Sequence, residues 1–161
     1  MKDCGACALC CKLIEVPGLA PAGMWCPFCI PGQSKGCCTI HDDRPDYCIN
    51  FHCFWRAESW PDWLRPDRCK VIFEALPGVK TVLVSVEPTR PDAWKEPGVM
   101  VVIETLRKKG RPVVLKTKND SEMFIPEGWD KKRVLHDVKM VIDWKRKING
   151  GSNIHNRSQH I

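Results

Sequence analysis

Hydrophobic positions follow two different patterns along this chain. In the second half, Lys70-Val71-Ile72-Phe73-Glu74-Ala75-Leu76 and Thr81-Val82-Leu83-Val84-Ser85-Val86 are β-branched runs separated by Pro77-Gly78. Two such runs around a turn signal predict an antiparallel strand pair. Val99, Val102, Ile103 and Leu106 recur at i, i+3, i+4 and i+7, one face of a helix that Gly110 ends. Val113 to Thr117 and Glu122 to Ile125 bracket Asn119-Asp120 as a second hairpin candidate. Asp130 then caps a last helix with Val134, Leu135, Val138, Val141 and Ile142 on its buried face. His136 in that helix reads as solvated, and Asn149 to Ile161 as a flexible polar tail.

The first half lacks this periodicity. Cys4 to Leu13 predicts a tight loop or a short helical turn, Val16 to Ala22 an irregular connection, and Pro31 to Gly36 a turn-rich tip. Asp42 to Trp55 reads as a capped helix, with Asp43 as N-cap and Pro45 in the first turn. Cys48 and Cys53 are five apart, off a common helical face, which allows that helix to end between them. The expected fold class is α+β. An irregular, metal-organised cysteine-rich lobe (residues 1–69) packs on a small antiparallel sheet with two helices (70–148), followed by the tail (149–161).

Ten of the eleven cysteines lie between Cys4 and Cys53, and thiols so dense must be bonded to something. With 161 residues and 43% hydrophobic content, the chain can bury a core outside the cysteine region, which weakens the usual need for disulfides. Met1-Lys2-Asp3 leads into Cys4 with no apolar signal segment, and no stretch approaches the roughly 20 apolar residues of a membrane span. The expected compartment is the reducing cytoplasm, where stable disulfides are rare, and the odd cysteine count opposes a fully paired framework. Metal is the better reading.

Two metal chemistries fit the spacing. Cys4-x-x-Cys7-x-x-Cys10 suits three irons of one 4Fe–4S cube, with Cys11, Cys26, Cys38, Cys48 or Cys53 supplying the fourth thiolate. Cys4-x-x-Cys7 and Cys26-x-x-Cys29, eighteen residues apart, also suit two knuckles around zinc. Spacing alone does not decide, though three linked spacings with scattered single cysteines suit a cube better than paired knuckles. Cys29, Cys37, His41 and His52 are further candidates of undecided role. Arg44 either offsets thiolate charge or caps a turn. Tyr47, Phe51, Phe54, Trp55, Trp60 and Trp63 either shield the site or pack the core, and Cys69 reads as a small buried apolar residue.

The order Cys4-x-x-Cys7-x-x-Cys10-Cys11, Cys26-Pro27-Phe28, Cys38-x-Ile40, Arg44-Pro45-x-x-Cys48-x-x-Phe51-x-Cys53 resembles the CxxCxxCC cysteine-cluster proteins (the YkgJ group). That group is described as zinc- or iron-chelating, and its pattern also occurs in flagellin lysine-N-methylase. The resemblance implies Cys4, Cys7, Cys10, Cys11, Cys26, Cys38, Cys48 and Cys53 as ligands. Cys29, Cys37 and Cys69 stand outside the pattern, and His41 stands where the group more often has tyrosine. The resemblance ends near residue 70, and the chain carries no glycine-rich nucleotide loop after a strand, so no methylase activity carries over.

The expectation is a cytoplasmic protein holding a 4Fe–4S cluster in a structural or redox role, its thiol-rich half unable to fold without metal. The alternative is a structural zinc module with a basic face for nucleic acid or an acidic protein, and a weaker one is a modifying enzyme. The net charge of +6 bears on that alternative, because residues 101–161 carry fourteen Lys and Arg against seven Asp and Glu. Arg107-Lys108-Lys109 by itself reads as a solvated helix end.

Overall fold

A computed structural model describes residues 2–33, 37–58, 60–75 and 78–150. In the N-terminal region regular structure is short. Helix α1 (Cys10–Leu13) is a single turn, and α2 (Asp46–Asn50) little more. Pro45 occupies the cap position of α2 with extended backbone, and no side chain caps the helix, so neither Asp43 as cap nor Pro45 inside the first turn is found. Extended Phe51 ends α2 between Cys48 and Cys53. Strand β1 (His52–Cys53), α3 (Phe54–Ala57), a 3-10 turn over Asp62–Leu64 and α4 (Pro66–Cys69) follow. Pro66 opens α4, where its missing N–H costs nothing, and Lys70 closes it in the left-handed region (φ 63°).

Beyond Lys70 the elements lengthen: β2 (Val71–Ala75), β3 (Val82–Val86), α5 (Pro97–Lys108), β4 (Val113–Lys116), β5 (Ser121–Phe124) and α6 (Lys131–Gly150). The sheet order is β1-β2-β3-β4-β5. Both expected pairings occur, with Phe73 opposite Val84 and Val114 opposite Met123. The sheet is nevertheless mixed rather than antiparallel, because β3 and β4 run parallel, Val84 beside Leu115. The physical reason is the intervening α5: a helical crossover returns the chain to the same end of the sheet, whereas a tight turn would reverse it.

The two sheet faces serve different cores. Val71, Phe73, Val82, Val84, Val113 and Leu115 share one face and pack with Val99, Ile103 and Leu106 of α5. Ile72 points the other way, joining Leu9, Leu13, Ile14, Val16 and Tyr47 of the cysteine-rich region, with Trp144 and Ile148 of α6 against them. The N-terminal region is cysteine-rich as expected, and this small apolar cluster packs it against the sheet; among the described residues no metal-organised lobe is shown. β1 meanwhile joins it to the sheet edge, pairing Cys53 with Glu74.

Asp130 caps α6 as expected, its Oδ1 accepting the Arg133 N–H at 2.7 Å. The buried stripe of α6 is narrower than expected. Val134 and Val141 are buried, but Leu135 and Ile142 are 45% and 41% exposed. They lie one residue, about 100° of helical turn, from the line that meets α2, so a helix packed on one side leaves them on its flank. Arg107 and Lys108 occupy the last turn of α5, the expected basic helix end, and His136 is exposed. Within the expected tail, α6 continues to Gly150 and residues 151–161 lie outside the described ones. No described helix is long and apolar enough to cross a membrane.

Candidate metal centre

Short-range backbone geometry gathers the thiols. Gly5 takes φ +54°, which lets Cys4-Gly5-Ala6-Cys7 close a turn in which the Cys7 N–H donates to the Cys4 carbonyl at 2.9 Å. The chain next turns through α1, presenting Cys10 and Cys11. The Cys26 N–H donates to the Cys11 carbonyl at 2.8 Å and so ties the second cysteine pair beside the first. A short antiparallel bridge between Cys29 and Cys38 then folds 37–39 back along 28–30, with Ile30 N–H to Cys37 carbonyl at 2.7 Å and Thr39 N–H to Phe28 carbonyl at 2.8 Å. Helix α2 adds Cys48.

The result is a cavity of about 350 Å³ onto which Cys4, Cys7, Cys10, Cys11, Cys26, Cys37, Cys38 and Cys48 open. Seven of the eight expected ligands are among them. Cys53 is not: it is half-buried off the cavity, with backbone N–H groups of Arg56 and Trp55 directed at its thiol and Cys4 and Cys69 nearby. Cys37, outside the family-like pattern, lines the cavity, and Cys29 reaches it through hydrogen bonds with Cys11 and Cys37. The signal for both was their adjacency to pattern cysteines, as Cys26-x-x-Cys29 and Cys37-Cys38.

All eleven cysteines are free thiols. Burial, then the neighbouring sulfurs, push Cys29 and Cys48 up to about 12, and burial takes Cys7 to about 11. Cys11 is also raised, first by its hydrogen bond with Cys10 and then by burial. These thiols cannot ionise together without a positive charge among them. Arg44 and Arg56 supply part of it at the cavity wall, Arg44 favouring the Cys11 and Cys48 thiolates and Arg56 that of Cys4. Arg44 does both things considered for it, since its Nε also donates to the His41 carbonyl at 2.6 Å and closes a turn.

His41 lines the cavity, but its ring is 60% exposed and stands 3.2 Å from Asp42. The His52 side chain lies outside the described residues. Of the aromatic residues, Tyr47 and Phe51 wall the cavity, whereas Phe54 and Trp60 stack at 5.2 Å in the sheet core against Phe73. Trp55 is buried and Trp63 is 48% exposed elsewhere. Tyr47 also connects the cavity to the body: its hydroxyl donates to Glu74, whose buried carboxylate takes Lys145 of α6 at 2.9 Å. Cys69 donates its thiol to the Leu64 and Val71 carbonyls.

Among the described residues, no three His, Cys, Asp or Glu side chains are placed closely enough to grip an ion without movement. The lining nonetheless suits a thiophilic metal: eight thiols, Arg44 and Arg56 beside them, and among the described residues no carboxylate except Asp3. Thiols kept protonated by burial repel no neighbour and can remain apart; ionisation around a metal would draw them inward. No protein-family model, no curated protein and no solved structure matches this chain.

Proposed function

We propose that this chain is a metal-binding cysteine-cluster protein whose N-terminal cavity holds a 4Fe–4S cluster, in a structural or redox role. The observation that carries the reading is the convergence of eight unpaired thiols on one cavity. Its volume of about 350 Å³ supports a cluster over a single ion, since it is several times the space of about 30 Å³ that one water takes up. Cys4, Cys7, Cys10, Cys11, Cys26, Cys38 and Cys48 are the proposed ligand pool, with Cys37 added and Cys53 in reserve. The cluster would supply one-electron chemistry. The protein's part is to exclude water with Tyr47 and Phe51 and to offset thiolate charge with Arg44 and Arg56.

A second reading has its own support. The Cys29–Cys38 bridge sets Cys26-x-x-Cys29 beside Cys37-Cys38, as paired knuckles around a structural zinc would stand. Anaerobic purification followed by assay of iron, zinc and acid-labile sulfide separates the two. Brown protein with iron and sulfide in equal amounts is expected; colourless protein with stoichiometric zinc would replace the cluster by zinc, and protein free of both would remove the proposal.

A further inference from the structure

A second cleft, unconnected with the thiol cavity, opens where α4, the loop after β3 and the start of α5 meet. It measures about 360 Å³ and is lined by Trp63, Arg68, Lys70, Arg90 and Gly98, among others. Its chemistry is cationic. Among the described residues Arg68 reaches the Asp62 carbonyl, at 3.5 Å, and Lys70 the Asp67 carbonyl. Among the described residues neither has a carboxylate within ion-pair distance. Arg90 stands 3.8 Å from Glu96 with both side chains exposed, a contact too long and wet to neutralise it. Three guanidinium or ammonium groups thus face one carboxylate across one small space.

Two further features sit on the same cleft. No side chain caps α5, so the Gly98 and Val99 N–H groups point out of the helix end without an intrahelical acceptor. The six-membered ring of Trp63 lies against Gly98, where a Cβ would come within 2.6 Å of Cη2. Glycine therefore allows the indole to form a fixed wall of the cleft, and that ring is 48% exposed. A flat, half-exposed aromatic beside a cluster of unneutralised cations matches a ligand with a planar ring at one end and a phosphate at the other.

We propose that this cleft binds a nucleoside monophosphate, the phosphate between Arg68, Lys70 and Arg90 at the start of α5 and the base on Trp63. Arg68, Lys70 and Arg90 all line this one small cleft, which favours a single nucleotide over a nucleic-acid strand. The volume lies at the lower end of small-ligand sites, about 300 to 1,000 Å³. The site is independent of the metal.

The test is calorimetric titration of the full chain, purified anaerobically, with adenosine monophosphate, ribose 5-phosphate, inorganic phosphate and a ten-nucleotide single strand. Saturable one-to-one binding of the nucleotide is expected, about tenfold or more tighter than ribose 5-phosphate, the margin that base stacking gives. Replacing both Arg68→Gln and Arg90→Gln should weaken it at least about tenfold, as expected for lost charge-assisted hydrogen bonds. Trp63→Leu should erase the preference over ribose 5-phosphate while leaving inorganic phosphate binding unchanged. Circular dichroism confirms that each variant is folded. No binding at millimolar nucleotide, unchanged affinity in the double variant, equal affinity for nucleotide and inorganic phosphate, or binding of the strand alone would overturn the proposal.

Discussion

The cysteine-rich region and the sheet body solve the same problem with different materials. In the body, a twelve-residue α5 lays Val99, Ile103 and Leu106 on a sheet face of valines, and residues such as Val82, Ile103 and Leu115 have no solvent exposure. In the cysteine-rich region the helices are four or five residues long, and the apolar cluster is a handful of side chains. Helices that short do not hold themselves in water. The difference teaches where each half is vulnerable: the body to loss of packing, the N-terminal region to whatever its thiols do.

Five perturbations would break or sharpen that contrast. The largest effect should come from stripping metal with a chelator, since structural thiolate sites contribute on the order of 10 kcal/mol or more. Limited proteolysis should then cut within residues 4–53 while a fragment from residue 70 onward survives; equal protection of both halves would deny the contrast. The metal-free protein should also lose stability as pH rises. Cys7, Cys29 and Cys48 have folded values of about 11, 12 and 12 against an ordinary 9.0, so their thiols ionise first in the unfolded chain. The stability they contribute is complete below pH 9 and drains away as pH climbs from 9 towards 12. Urea unfolding across that window checks the sign.

Ile103→Ala should cost about 2–5 kcal/mol by opening a cavity in the body, with metal content per chain unchanged. Tyr47→Phe should cost about 1–3 kcal/mol, because it removes a hydroxyl donor from the buried Glu74 carboxylate. It acts on the seam between the halves, so both metal retention and the unfolding midpoint should fall. The smallest effect is Asp130→Ala, about 1 kcal/mol from the lost cap of α6, read as a lower melting temperature with the thiol cavity untouched.

What could be read in the sequence follows the same division. Period-two and period-3.6 patterns are local, so β2, β3, α5, β4 and β5 were legible within a residue or two. The parallel pairing of β3 with β4 was not, because strand direction depends on the crossover and not on either strand. The flank positions Leu135 and Ile142 were misassigned since periodicity gives a face but not its width. In the N-terminal region the pattern identified seven of the thiols that share the cavity. Arg56 enters by backbone folding that no spacing rule encodes, and Cys53 leaves because β1 carries it to the sheet edge.

Metal-edge X-ray absorption on anaerobically purified protein tests the central claim most directly. Sulfur scatterers at about 2.3 Å from the metal, with a second shell of iron neighbours for a cluster, are the expected result. A metal surrounded only by nitrogen and oxygen, or none bound, would contradict it.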